Sequence, residues 1–173
     1  MPVELPSLEL TLPAGFTILT AEAAGVHARW LRERPHDYVP ETRRMLELGS
    51  ILPAAHVEAA QRVRALICAE LVDVFRASEL DALVSPTLPR VSIPIDEMVI
   101  PVDLPRYIPY TFPANLAGLP ALTVPCGFTS TGLPVGLQLI GRAYTEAALF
   151  RLGHAYESAT PWHGRRPALT VTG

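Results

Sequence analysis

The sequence reads TFPANLAGLPALTVPCG at residues 111–127 and GLPVGLQLIGR at residues 132–142. Two apolar runs lie within these stretches, at residues 121–126 and 135–140, and the turn-rich segment GFTSTG follows the first. Short apolar runs bounded by Gly and Pro predict strands, and this connection predicts a β-hairpin. A third run, DALVSP at residues 81–86, predicts another strand. Because the runs are nearly continuous, they favour a sheet covered on both faces.

Helical periodicity surrounds these strands. In the clearest segment, apolar residues recur at spacings of three and four, which is typical of one buried helix face. Thr20 suits the N-cap of the first helix, and Gly49 suits the position after the end of the second. Helices are therefore predicted over residues 20–34, 40–48, 53–77 and 146–158. The alternation of helices with strands indicates an α/β fold.

The length of 173 residues predicts a single domain over residues 1–173. Residues 1–19 are broken by prolines and predict an irregular lead-in, with weak strand candidates at Val3–Leu5 and Leu8–Leu12. Residues 86–113 carry seven prolines and predict a long loop. Loops of this length are usually functional or ordered by a partner.

The composition excludes several classes of protein. The hydrophobic fraction is 49% and the charged fraction 18%, with a mean hydropathy of +0.26, which excludes a disordered tail. All 14 basic residues are arginine, so the chain contains no lysine, and the net charge is −3. The absence of a basic stripe argues against nucleic acid as a partner. No apolar run is long enough for a membrane span, and the acidic N-terminal stretch is unlike a signal peptide, so we expect a cytoplasmic location with no membrane partner.

The cysteine and histidine patterns give no metal site. Cys68 and Cys126 have no metal-ligand spacing, and they are expected to be buried thiols rather than a disulfide, an alternative that the sequence leaves open. Cys126 has no histidine nearby in sequence, which argues against a nucleophile. The histidines are well separated. We therefore expect no metal and no cofactor.

Several stretches in a fixed order resemble one known family. They are RRMLELGS at residues 43–50, AQRVRALI at 60–67, DALVSPTLP at 81–89, the NLAGLP turn with the strands that follow it, and AYESATPWHGRRP at 155–167. Together they are similar to the C-terminal part of the amidase signature family, which includes amidases and the A subunit of the glutamyl-tRNA amidotransferase. The resemblance implies a mixed β-sheet covered by helices, and hydrolysis or transfer at carboxamide C–N bonds.

The resemblance also implies a mechanism with a serine nucleophile, a second serine, a lysine base and a glycine- and serine-rich loop that stabilises the oxyanion. This chain has no lysine and no two adjacent serines. The expected function is therefore that of a C-terminal fragment of an amidase-type hydrolase, inactive alone and without catalytic residues. The alternatives are a non-catalytic binding or assembly protein on the same scaffold, or one half of a split amidase.

By its position in the family, the segment before the NLAGLP turn contributes to the substrate-pocket wall. The candidate substrate-binding residues are Tyr107, Tyr110, Thr111 and Asn115. A plainer interpretation makes Asn115 a turn residue and the tyrosines loop-packing residues. The neighbourhood Arg106-Tyr107-Ile108-Pro109 lacks the acidic residue that the A subunit of the amidotransferase carries there. That departure argues against glutamine as the substrate.

Two further basic groups have alternative interpretations. Arg43 and Arg44 suit a substrate carboxylate in a complete enzyme, or ion pairs with Glu41 or Glu47. His163, Arg165 and Arg166 suggest an anion site, but a solvated tail is favoured. We also expect a homo-oligomer, or an N-terminal portion that covers an exposed sheet face. A small-molecule amide substrate is expected to bind only to the complete enzyme.

Overall fold

The computed structural model describes residues 1–99 and 105–166. It confirms the α/β class, with elements in the order α1 (Thr11–Glu33), α2 (Pro40–Ser50), α3 (Ala54–Ala77), β1 (Ala82–Pro86), α4 (Phe112–Ala117), β2 (Ala121–Phe128), β3 (Pro134–Gly141) and α5 (Glu146–Ala159). Single 3₁₀ turns occur at Leu8–Leu10, Pro35–Asp37 and Ile95–Glu97. No helix of the described ranges is long and apolar enough to cross a membrane.

The three strands form one sheet in the order β1-β3-β2, and both pairs are antiparallel. The predicted hairpin is confirmed as β2 and β3. In the register, Leu83 and Ala121 oppose Ile140 from either side, and two residues further along Ser85 and Thr123 oppose Gln138. Since side chains alternate between faces, each of these sets lies on one face of the sheet.

The main core lies between α3 and the sheet. The buried face of α3 contributes Ile67, Leu71 and Phe75, which pack in one cluster with Leu83 and Ile140. Helices α1 and α4 add Ala14, Ile18, Ala114 and Leu116 to the same cluster. Leu71 is only 1% exposed. Burying a side chain of this size contributes about 1.5–3 kcal/mol.

The opposite face of the sheet is covered in part. Helix α5 packs against β2 and β3, and Gly153 brings its backbone close to the side chains of Leu122 and Val124. Val84, on the same face of β1, is 61% exposed. The expectation of two covered faces therefore holds over β2 and β3 and fails at β1.

The first helix begins earlier than its sequence pattern indicates. Helix α1 starts at Thr11, so neither the irregular lead-in up to residue 19 nor the strand candidates at Val3–Leu5 and Leu8–Leu12 are correct. Pro13 is tolerated because the first turn of a helix has no intrahelical partners for its N–H groups. Thr20 is not an N-cap: it lies inside α1, and its hydroxyl donates to the carbonyl of Phe16 at 2.5 Å.

Gly49 also departs from the prediction, because α2 continues through it to Ser50. Its role is close approach rather than helix termination. A Cβ at this position would collide with the backbone carbonyl of Thr20 in α1. The glycine therefore lets α2 lie directly on α1.

Over the described residues 87–99 of the proline-rich stretch, the regular structure is the 3₁₀ turn Ile95–Glu97. Residues 100–104 lie outside the described ranges. At its far end the predicted loop is too long, because α4 begins at Phe112.

Candidate functional site

The NLAGLP motif forms a short helix and a turn. Pro113 lies in the first turn of α4, and Gly118 ends the helix in the left-handed conformation, with φ +67°. The N–H of Leu119 then donates to the carbonyl of Ala114 at 2.9 Å. This pattern is typical of a glycine-terminated helix and directs the chain into β2.

Helix α4 is held from two sides. The guanidinium Nε of Arg64, in α3, donates to the carbonyl of Leu116 at 2.7 Å. The ring of Phe112 stacks on Phe16 of α1, with 5.2 Å between ring centroids. Gly15 makes room for that ring, because a Cβ there would overlap it. The helix is therefore fixed against both α1 and α3.

The segment before α4 is tied to the sheet by one buried side chain. Gln138, in the central strand, is 3% exposed. Its Nε2 donates to the carbonyl of Tyr110 at 2.9 Å and to Oγ of Ser85 at 3.2 Å. Both amide hydrogens are used, so a single residue joins the pre-helix segment, β3 and β1.

A polar layer crosses the sheet at this level. Ser85, Gln138 and Thr123 stand side by side on one face, next to the apolar row of Leu83 and Ile140. One step further along, the hydroxyls of Thr87 and Thr123 share a hydrogen bond of 3.2 Å. Gly136 leaves space there, since a Cβ would lie 2.8 Å from Oγ1 of Thr87.

Two cavities flank this polar layer. One, of about 590 Å³, is lined by Thr87, Thr123 and Gly136 together with Arg90. The other, of about 480 Å³, is mainly apolar and lies between β1 and the N-terminal segment, with Ser85 and Tyr110 in its wall. Both cavities are mainly apolar, and hydroxyl groups of the polar layer form part of each wall.

The structure separates the four predicted substrate-binding residues. Tyr110 lines the apolar cavity. Tyr107 is buried, with 8% exposure. The hydroxyl of Thr111 donates to the carbonyl of Ile108 at 2.9 Å, a local turn contact. Asn115 is exposed, lies inside α4 rather than in a turn, and lines a different cavity of about 280 Å³ beside Arg64.

Sequence reasoning missed the residues of the polar layer, which are Ser85, Thr87, Thr123 and Gln138. A signal was present, because each apolar strand contains one polar residue, Ser85 in β1, Thr123 in β2 and Gln138 in β3. The register that places these residues side by side depends on strand pairing, which spans up to 53 residues of sequence between Ser85 and Gln138. Local patterns carry no information on that pairing.

The polar layer offers neutral hydrogen-bonding groups. Hydroxyls both donate and accept, and a carboxamide needs one acceptor for its N–H and one donor for its carbonyl. Within the described ranges, no three His, Cys, Asp or Glu side chains converge as a metal site would require. Cys68 and Cys126 are free thiols of intermediate exposure.

The two other basic groups have structural partners. Arg43 Nε lies 3.3 Å from Oε1 of Glu47, which confirms the helical ion pair, although the contact lacks hydrogen-bond geometry. Arg165 is not simply a solvated charge. Its guanidinium lies 5.1 Å from the ring centroid of Phe128 and 5.9 Å from that of Trp162. These cation–π contacts attach the segment after α5 to the end of β2.

The family model described as Amidase matches residues 1–150. The chain belongs to the amidase family. It corresponds to the C-terminal part of that family, and it spans about two fifths of the length of the curated relatives it matches.

Three members of the amidase family illustrate the likeness. The A subunit of the Chloroflexus aggregans glutamyl-tRNA(Gln) amidotransferase is 41% identical over 96% of this chain and 38% of its own length. An amidase of Pseudomonas putida is 36% identical over 99% of this chain and 38% of its own. The crystal structure of the A subunit of the Thermotoga maritima glutamyl-tRNA(Gln) amidotransferase superposes with a TM-score of 0.73 at 35% identity, over 99% of this chain and 37% of that one.

Proposed function

We propose that this chain supplies sheet core and substrate-pocket wall to an amidase-type hydrolase acting on carboxamide C–N bonds, and that it contributes no catalytic residue. Two observations taken together carry the proposal. The chain belongs to the amidase family, yet all 14 of its basic residues are arginine. The lysine base that the family resemblance implies therefore lies outside residues 1–173.

The hydrogen bonds of three serines support the proposal that this chain contributes no catalytic residue. Amide hydrolysis by a serine requires a base within hydrogen-bond reach of the hydroxyl. Ser85 Oγ accepts from an amide, and Ser50 Oγ donates to a backbone carbonyl. The hydroxyl and the backbone N–H of Ser7 both donate to the carboxylate of Glu70, at 2.6 and 3.1 Å. That pair anchors the N-terminal segment on α3, since Ser7 is 8% exposed and uses both its donors there.

The test compares the chain alone with a reconstituted pair. The partner is the part of the Pseudomonas putida amidase that precedes its matching segment, produced in the same cells as residues 1–173. Hydrolysis of a panel of aryl and alkyl carboxamides is followed by ammonia release. We expect no turnover by either piece alone and measurable turnover by the pair. Turnover by the pure chain, with unchanged specific activity through a second purification, would contradict the proposal.

A non-catalytic binding or assembly protein is the second candidate. The observation that favours it is the same absence of lysine, combined with a sheet whose β1 face is exposed. In that case the reconstituted pair forms a complex but shows no turnover on any carboxamide. A complex with the activity of the intact Pseudomonas enzyme would exclude this candidate.

The same panel of carboxamides tests which substrate class the enzyme prefers. Arg106, Tyr107, Ile108 and Pro109 stand where the resemblance leads us to expect an acidic residue for binding glutamine. We propose that the enzyme acts on carboxamides other than glutamine. L-Glutamine is therefore included in the panel, and preferential turnover of glutamine would contradict this part of the proposal.

A further inference from the structure

We propose that the chain forms a two-fold dimer through the outer face of α1, with a second copy of the chain as the partner. The dimer goes beyond the proposed function, because it concerns assembly rather than chemistry. Three features of α1 support it: an exposed apolar row, an ordered tryptophan in that row, and two opposite charges on one flank of the row.

The outer face of α1 carries a row of apolar side chains at the spacing of a helix seam. Leu19, Val26 and Trp30 are 45%, 71% and 44% exposed, and Ala23 is partly exposed. The steps between the four residues are four, three and four, which is the repeat by which two helices pack against each other. Other sides of α1 pack on α2, α3 and α4. The row therefore has the pattern that a further helix requires.

Trp30 is held in place although it is exposed. Its ring centroid lies 5.7 Å from that of His27. Nδ1 of His27 in turn shares a hydrogen bond of 3.0 Å with the hydroxyl of Tyr38, in the segment between α1 and α2. A tryptophan that is ordered before binding loses little conformational entropy in a complex, and tryptophan is enriched among the residues that dominate interfaces.

Two opposite charges lie on one flank of the row. Glu22 and Arg29 are seven residues apart, so they project from the same side of α1, and both are exposed. Within the described ranges, Glu22 has no hydrogen bond or ion pair. Arg29 donates to Oε1 of Glu33 through Nε at 3.0 Å, which leaves its two Nη groups for a second carboxylate. An exposed pair of this kind is weak and does not prevent another contact.

The apolar row is complementary to itself when two α1 helices pack antiparallel. A two-fold axis between residues 24 and 25 places Leu19 of each copy opposite Trp30 of the second copy, and Ala23 opposite Val26. Each layer then combines a larger side chain with a smaller one. Because every contact occurs twice, the interface is isologous and closes with two copies.

The same axis brings the charges together. The charged flanks of the two helices face each other, and Glu22 of each copy lies within one helical turn of Arg29 of the second copy. In a parallel pair this flank faces the opposite one, where Thr20 and His27 offer no carboxylate for Arg29. Charges that match the chain to itself therefore identify a second copy as the occupant, in the antiparallel direction.

The size of the seam sets the expected affinity. Twelve residues of helix, from Leu19 to Trp30, span about 18 Å. An interface built on so short a seam lies at the low end of specific interfaces. We therefore expect a reversible equilibrium between monomer and dimer, with a Kd in the micromolar range.

The experiment is sedimentation equilibrium of residues 1–173 at micromolar to submillimolar concentrations. Val26→Lys is compared with Val84→Lys, because both valines are exposed, at 71% and 61%, but Val84 lies on β1. Both variants add the same charge, and circular dichroism confirms that each is folded. We expect Val26→Lys to raise the Kd of the dimer by about tenfold or more, and Val84→Lys by less than about twofold.

Charge reversal tests the antiparallel direction. Glu22→Arg places like charges together twice, and we expect it to raise the Kd by about fivefold or more at low ionic strength. Addition of Arg29→Glu to the same chain restores opposite charges, and the Kd is expected to return to within about twofold of its original value. Glu58→Arg, at an exposed site on α3, controls for the change in net charge.

A chain that stays monomeric at every concentration overturns the proposal. A dimer that both valine variants weaken equally, or that the double charge reversal fails to restore, also overturns it. A chain that is monomeric alone, but whose complex with the preceding part of the Pseudomonas putida amidase is weakened by Val26→Lys, overturns it in favour of that polypeptide. Turnover by the reconstituted pair tests the proposed function separately.

Discussion

The side-chain amide of Gln138 donates a 2.9 Å hydrogen bond to the backbone carbonyl of Tyr110. This contact joins the centre of the sheet to the segment that precedes α4. A carbonyl buried without a donor costs about 1–3 kcal/mol. The position of Tyr110 in the cavity wall therefore depends on a residue that lies 28 positions away in sequence.

Replacement of Gln138 by leucine tests this dependence. The leucine preserves much of the volume but leaves the carbonyl of Tyr110 and the hydroxyl of Ser85 without their donor. We expect Gln138→Leu to lower the free energy of unfolding by about 1–3 kcal/mol, measured by urea denaturation.

The matched control is Gln61→Leu, at an exposed site on α3. It is expected to change stability by less than about 0.5 kcal/mol. Equal effects of the two substitutions would show that the Gln138 contact does not stabilise the fold.

The candidate site shows which structural features local sequence patterns predict and which they do not. Apolar runs bounded by Gly and Pro are local signals, and they predict each strand to within two residues of its observed ends. The polar layer was not found, because Ser85, Gln138 and Thr123 meet through strand pairing rather than through spacing. The plainer interpretation of Asn115, the other being a substrate-binding residue, is a turn residue, but Asn115 lies inside α4, and the left-handed φ occurs at Gly118.

Two helical glycines provide a matched pair for packing. Gly49 faces the carbonyl of Thr20, whereas a Cβ on Gly25 would meet nothing within 4 Å. Gly49→Ala is expected to destabilise the protein by about 1–3 kcal/mol through displacement of α2 from α1.

Gly25→Ala is expected to stabilise the protein by about 0.5–1 kcal/mol, since alanine loses less entropy in a helix. Thermal unfolding of both variants measures the difference. If both substitutions stabilised the protein, the result would contradict the close approach of α1 and α2 at Gly49.

The early start of α1 has a similar physical origin. Pro13 and Gly15 predict an interruption when they are considered alone. In the fold, Pro13 occupies the first turn and Gly15 accommodates the ring of Phe112. Packing between distant elements therefore overrides a local signal that is correct in most contexts.

Arg64 is expected to hold α4 in place. The charged guanidinium of Arg64, on α3, donates a hydrogen bond from Nε to the carbonyl of Leu116 in this short helix. We expect Arg64→Met to increase amide exchange across Phe112–Ala117 at least tenfold, and to lower global stability by about 1–2 kcal/mol.

Arg62→Met is the control, because Arg62 is exposed on the same helix. It removes the same charge and retains the alkyl chain. Exchange across α4 that is unchanged in Arg64→Met, or equally raised in Arg62→Met, would contradict the assigned role.

The last prediction concerns the attachment of the segment after α5. Arg165 lies over the rings of both Phe128 and Trp162, whose centroids are 6.2 Å apart. Cation–π contacts at exposed sites contribute about 0.5–1 kcal/mol each. Arg165→Gln is therefore expected to lower the Tm by about 2–4 °C and to change the fluorescence emission of Trp162, recorded with Trp30 replaced by phenylalanine.

Arg166→Gln is the control, because Arg166 donates to the nearby carbonyls of His163 and Arg165. Identical melting and emission for the two variants would mean that the segment is held by the contact between Phe128 and Trp162 without the cation.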